Sequence, residues 1–176
     1  MKDALMSVAR KTGALSKITS VLPVSAKGGT VKPLWSFKCE DEIRGTPLLH
    51  QGSLFIGCYD NNLYSLNAAD GKFLWKYPTE GGIVTRPAVH DNNIFVGSED
   101  KLLHVVNSRS GKMVWTYYTE GKVRSSPRIA EGHVFFGSDD LYLHAVNVNS
   151  GRAVWKYATD GAIHSTSLVV NDLVYV

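Results

Sequence analysis

Short apolar runs of four to eight residues alternate with polar clusters along most of this chain. Between residues 83 and 119 the runs read "IVTRPAV", "NIFVGS", "LLHVVNS" and "KMVWTYYT", and the breaks read "HDNN", "EDK" and "SRSG". β-branched and aromatic residues fill the runs, whereas Asn, Asp, Gly and Ser fill the breaks, which is strand and tight-turn chemistry. No window long enough for a packed helix shows a 3.6-residue period. Several runs are apolar at consecutive positions, as in Ile94-Phe95-Val96 and Val105-Val106. A strand apolar on both sides needs cover on both faces of its sheet.

The pattern returns every 40 residues from Pro33 without a gap. One column holds all four tryptophans, Trp35, Trp75, Trp115 and Trp155, followed two residues on by Phe37, Tyr77, Tyr117 and Tyr157. Further columns are Ile43, Ile83, Val123 and Ile163; Gly57, Gly97 and Gly137; Asp60, Asp100 and Asp140; Asn67, Asn107 and Asn147; and Gly71, Gly111 and Gly151. Repeats of this length made of four short strands predict antiparallel sheets stacked face to face around an axis, a β-propeller. In that arrangement a Trp on the last strand bridges two neighbouring sheets. The Gly four positions before it lets the chain turn tightly and lets a ring approach. The Asn and Asp columns are expected to cap their turns through backbone hydrogen bonds.

The expected fold class is therefore all-β, a partial β-propeller of four-stranded antiparallel blades. A last-type strand falls at 33–38, blades fall at about 43–78, 83–118 and 123–158, and a partial blade falls at 163–176. This count points to a piece of a longer propeller or to half a ring. Open ends would expose apolar faces, so self-association through the propeller edges is a further expectation. Residues 1–32 are expected to be a basic leader or linker, disordered or a loosely docked helix, closed by Gly28-Gly29 and Pro33. They hold six Lys/Arg and one acid, against 13 basic and 15 acidic residues in the remainder, for a net charge of +3. A nearly neutral body gives no reason to expect nucleic-acid binding. No apolar run reaches the ~18–20 residues of a membrane helix. No signal peptide or lipobox-like Cys is visible, and a cytoplasmic location is the expectation.

The phrases "SLNAADGKFLW", "VVNSRSGKMVW" and "AVNVNSGRAVW" resemble the tryptophan-docking motif of the pyrroloquinoline-quinone-type propeller repeats, with Asn67, Asn107 and Asn147 where that family usually has Asp. The likeness spans residues 33–176. The resemblance implies one of several roles. Some members are dehydrogenases holding a quinone and calcium, usually with the quinone between a Trp and a disulfide of adjacent cysteines. Others bind no quinone, among them a bacterial outer-membrane assembly lipoprotein and sensor propellers attached to kinases or adenylating enzymes. Here Cys39 and Cys58 are far apart in the chain and all four Trp lie in the repeat column. No quinone, metal or other cofactor is therefore expected, and the expected branch is the non-enzymatic one.

Candidate chemistry is sparse. Cys39 and Cys58 occupy different columns without metal-like spacing and read as two buried thiols. His104 and His144 share a column with Tyr64 and read as structural, whereas His50, His90 and His133 are expected on exposed loops. No Gly-x-Ser-x-Gly elbow or phosphate loop occurs. The best candidate for a partner-binding surface is the loop face between last and first strands and between second and third strands. It would carry Arg44, Glu80, Arg86, Glu99, Asp100, Glu120, Arg124, Asp139, Asp140 and Asp160. The expected function is a non-catalytic module that binds a protein or peptide there. The alternatives are a piece of a quinoprotein dehydrogenase and a sensor propeller attached to a kinase or adenylating enzyme.

Overall fold

The computed structural model describes residues 5–8, 17–22 and 32–176. Every regular element among them is a strand. A first sheet has the order β1 (Leu5–Val8), β2 (Lys17–Leu22), β3 (Trp35–Cys39). The second comprises β4 (Leu48–His50), β5 (Ser53–Gly57), β6 (Asn62–Asn67) and β7 (Phe73–Pro78). The third comprises β8 (Ala88–His90), β9 (Asn93–Gly97), β10 (Leu102–Asn107) and β11 (Met113–Tyr118). The fourth comprises β12 (Arg128–Ala130), β13 (His133–Gly137), β14 (Tyr142–Asn147) and β15 (Ala153–Ala158), and β16 (Leu168–Val170) pairs with β17 (Leu173–Tyr175). All pairings are antiparallel between sequence neighbours, the meander of a propeller blade. The protein is an open, partial β-propeller.

Two expectations need correction. Within the basic leader, β1 and β2 are strands, and β2 pairs with β3 from Lys17↔Cys39 to Val21↔Trp35. "KITSVL" mixes β-branched residues with polar ones, and β3 leaves it a free edge to pair with. The rest of residues 1–31 lies outside the described residues. The innermost strands are also shorter than read. "IVTRPAV" yields strand only at Ala88–His90, because Ile83 N–H bonds the Cys58 carbonyl of the preceding sheet (3.0 Å) instead of its own, and Pro87 has no N–H to give.

Hydrophobic cores lie between sheets. Phe55, Leu63, Ile83, Ile94, Val96 and Val106 fill the gap between the second and third sheets. Phe95, Leu103, Val105, Val123, Val134 and Phe136 fill the next gap. Val105 and Val106 thus face opposite neighbours, as consecutive apolar residues on a strand must. The Gly57 column has a packing reason. A Cβ there would collide with Ile83, as one at Gly97 would with Val123 and one at Gly137 with Ile163.

The Trp column does what its spacing predicts. Gly71, Gly111 and Gly151 have φ of +72°, +67° and +67°. A Cβ at Gly71 would come within 2.5 Å of the Trp35 ring, and one at Gly111 within 2.7 Å of Trp75. Trp35 Nε1 donates to the Ala68 carbonyl (3.1 Å) and Trp75 Nε1 to that of Ser108 (3.2 Å). Each indole therefore lies on the turn of the next sheet. A bulge on the last strand opposite Ser65/Leu66 recurs in the next two sheets, twisting the strand just before its Trp.

Candidate functional site

The turns between second and third strands and the crossings between sheets emerge on one face, because an antiparallel meander sends alternate loops to opposite ends. Three kinds of residue meet there. Column 59, 99, 139 supplies Tyr59, Glu99 and Asp139, and column 44, 84, 124, 164 supplies Arg44, Val84, Arg124 and His164. Lys122 joins them from the crossing into the fourth sheet.

These groups form a chain across the sheets. Arg44 Nε donates to Glu42 Oε2 (2.8 Å), and its guanidinium lies 4.3 Å from the Tyr59 ring centre. Tyr59 Oη donates to Glu99 Oε2 (3.2 Å). Lys122 Nζ donates to the same oxygen (2.8 Å) and Arg124 Nε to Oε1 (2.9 Å). Arg124 Nη1 reaches Asp139 Oδ2 at 3.0 Å, and His164 Nε2 reaches Asp139 Oδ1 at 2.8 Å. The Glu99 side chain is 9% exposed. Burial pushes its carboxyl up, but hydrogen bonds from Lys122 and Arg124 outweigh that and hold it below the ordinary range. Arg124 is raised in turn, first by its hydrogen bond to Glu99.

Of the ten candidate residues, Arg44, Glu99, Arg124 and Asp139 belong to this chain. Glu80, Glu120 and Asp160 stand exposed on the same face. Arg86 also stands exposed, two positions beyond the Arg44 column, with its N–H donated to Ser126 Oγ (2.8 Å). Asp100 and Asp140 are a correction. They are not on an exposed surface, since their side chains are 6% and 7% exposed. Each Oδ1 accepts a turn N–H, from Leu102 (3.0 Å) and Tyr142 (3.1 Å), and each Oδ2 accepts that of Glu80 (3.1 Å) or Glu120 (3.2 Å). Their carboxylates also bond His104 and His144 (3.0 and 3.1 Å).

Each imidazole is held at both nitrogens, because His104 Nδ1 meets Tyr77 Oη (3.1 Å) and His144 Nδ1 meets Tyr117 Oη (3.3 Å). Burial holds His144 below its ordinary range, outweighing the pull of Asp140. A neutral ring with Nε2–H toward Asp140 and Nδ1 accepting from Tyr117 satisfies every partner. In the second sheet Tyr64 replaces the His and donates to Asp60 Oδ2 directly (2.8 Å), with Phe37 against it at 5.3 Å. These Asp–His–Tyr sets are structural. His50, His90 and His133 are half-buried, not exposed.

Tyr59 and Lys122 were missed from the sequence. Tyr59 was findable, since it heads the acidic column 99, 139; Lys122 carried no such signal. The residues do not fit a quinone. Three indoles lie on glycines of neighbouring turns, and the fourth, Trp155, lies against Phe135 of its own sheet (5.8 Å) and is 41% exposed. Cys39 and Cys58 are buried between the first and second sheets with no disulfide between them, so among the described residues no Trp and disulfide face each other across a slot for a planar cofactor. Among the described residues no helix is long and apolar enough to cross a membrane.

A family model described as outer membrane protein assembly factor BamB matches residues 24–85 and 78–176. Among solved structures, BamB from Moraxella catarrhalis aligns at TM-score 0.75 and 20% identity, over 99% of this chain and 57% of that one. The quinohemoprotein alcohol dehydrogenase ADHIIG from Pseudomonas putida HK5 aligns at TM-score 0.66 and 21% identity, over 70% of this chain and 22% of that one. The computationally designed Ika8 protein aligns at TM-score 0.75 and 13% identity, over 95% of this chain and 53% of that one. The chain thus spans little more than half the length of the BamB structure, and likeness at these identities is likeness of fold. No curated protein matches.

Proposed function

Because the chain belongs to the family described as outer membrane protein assembly factor BamB, we propose that it is a non-catalytic propeller module holding a protein or peptide partner on the face that carries the charge chain. Family membership is the observation that carries this reading, and the geometry of the face supports it. Glu99, Arg124 and Asp139 tie the crossings of successive sheets together, so the loops start ordered and lose little freedom on binding. Around them, exposed Arg86, Glu80, Glu120 and Asp160 offer both signs of charge to a partner's side chains. The rival readings, a quinoprotein dehydrogenase segment or a sensor propeller, draw on no residue described above.

The test is site-specific photo-crosslinking in cells. A photoreactive residue at Arg86 or Glu120 is expected to trap a discrete protein adduct, and Arg86→Glu is expected to abolish the adduct formed at Glu120. The same probe at Lys72 or Arg109, on the opposite loops, is expected to trap nothing. Equal trapping from both faces, or trapping from the opposite face alone, overturns the proposal. A stoichiometric chromophore after addition of quinone and calcium overturns its non-catalytic half.

A further inference from the structure

Cys39 and Cys58 lie in different repeat columns and different sheets, yet the fold brings them together. The two Sγ atoms and a carboxylate oxygen of Asp60 all lie within 4.8 Å of one another. Both thiols point to the Asp41 carbonyl, Cys39 at 3.4 Å and Cys58 at 3.1 Å. They are 4% and 0% exposed, and no disulfide joins them.

The other repeats show what usually occupies these places. The Cys39 column continues as Thr79, Thr119 and Thr159, and the Cys58 column as Ser98 and Ser138. Ser138 Oγ donates to Thr119 Oγ1 (3.3 Å) across the gap between third and fourth sheets. Thr79 Oγ1 and Ser98 Oγ both donate to the Gly81 carbonyl (2.8 and 3.0 Å), the counterpart of Asp41. The hydroxyl pair is thus a recurring tie between sheets. In one gap alone both of its members are cysteine. Hydrogen bonding gives no reason for that, since S–H is the weaker donor. A covalent bond does.

We propose that Cys39 and Cys58 form a disulfide that staples the first sheet to the second. An S–S bond needs about 2 Å between sulfurs, and the two sulfurs already stand within 4.8 Å of each other. Metal binding is the weaker use of the cluster. Asp60 already accepts from Tyr64 Oη, Glu40 N–H and Asn62 N–H, as Asp100 and Asp140 do in their own turns where no Cys is near. The oxidant is a small-molecule disulfide. The Cys39 thiolate attacks it, releasing one thiolate and leaving a mixed disulfide on Cys39. The Cys58 thiolate then attacks the Cys39 sulfur and expels the second. Two thiols lose two protons and two electrons, which reduce the small disulfide to two thiols. The hydrogen bond to Cys39, followed by burial, pushes the Cys58 thiol far above its ordinary range. Exchange is therefore slow once the sheets have closed and occurs while β3 is still undocked.

The test is to refold the full chain in graded mixtures of oxidised and reduced glutathione, trap thiols in acid, and read intact mass, non-reducing peptide maps and melting temperature. The expected result is a mass lower by about 2 Da, the two hydrogens lost, a peptide cross-linked between Cys39 and Cys58, and a higher melting temperature than the reduced chain. Cys39→Thr with Cys58→Ser restores the residues of the other repeats. That variant is expected to fold and to melt independently of the redox mixture. Two fully alkylatable thiols after refolding under oxidising conditions overturn the proposal. So does a cross-link that leaves the melting temperature unchanged, or a native mass showing one zinc held by the reduced pair after incubation with zinc alone.

Discussion

His144 shows how much a single position can carry. Its ring is flat against Phe136 at 5.2 Å, and both nitrogens are hydrogen-bonded. Burial lowers its proton affinity below the ordinary value of 6.5. The unfolded chain therefore takes up a proton that the folded one resists. This contribution to stability is complete above pH 6.5 and is lost as pH falls below it, levelling off beneath the folded value. Between about pH 7.5 and about pH 5 the melting temperature is expected to fall. His144→Tyr with Tyr117→Phe recreates the Phe37–Tyr64 pair between the first and second sheets and is expected to fold while losing much of that dependence, as thermal melts across the range will show. The substitution logic was partly legible, since His104 and His144 align with Tyr64. The companion change from Phe37 to Tyr77 and Tyr117 was visible but unreadable, because these residues meet through space across two sheets. Asp100 and Asp140 were misread for the same reason: an acid in a turn looks solvated until the His four residues on folds over it.

Strand β7 presents Trp75 to the third sheet and, at the bulge before it, leaves Phe73 and Leu74 exposed. The indole rests on Gly111, donates to Ser108 and packs on Phe55 of its own sheet. Trp155 on β15 has the same sequence context and no following turn within these residues, and it is 41% exposed. The two rings thus form an internal comparison. Trp75→Ala is expected to cost about 3 kcal/mol, toward the lower end for a large aromatic because the ring is only half-buried. Trp155→Ala in this chain is expected to cost less than about 1 kcal/mol. Chemical denaturation of both variants checks the difference, and equal losses would mean that docking on the neighbouring turn contributes nothing. The Trp–Gly relation was readable because both partners recur at a fixed offset. The shortness of β8, β12 and β16 was not, because residues such as Ile83 are β-prone yet direct their N–H to another sheet.

Across the molecule, the charge chain from Glu42 to His164 crosses every gap among the second, third and fourth sheets and reaches the segment that enters β16. Glu99 is its node, with Tyr59, Lys122 and Arg124 on two oxygens. Its partners Lys122 and Arg124 are 42% and 34% exposed, so their attraction is partly screened. Glu99→Gln is therefore expected to cost about 1–2 kcal/mol, between the values for a surface pair and a buried one. Because the Glu99 carboxyl is held below its ordinary range, the charge it contributes is present above the usual carboxylate pKa and is lost as pH falls through the folded value. Urea melts near neutral pH and in acid are expected to show the variant and wild type converging in acid. What could be read from the chain alone was whatever repeats. The 40-residue period, the strand pattern, the docking indoles and the turn caps each depend on contacts whose offset is the same in every row. What the folded molecule added was whatever does not repeat: β1 and β2 on the edge of β3, Lys122 and Tyr59 on Glu99, and two thiols meeting where other rows have hydroxyls. Those contacts join residues at offsets that no period encodes, so only three-dimensional closeness reveals them.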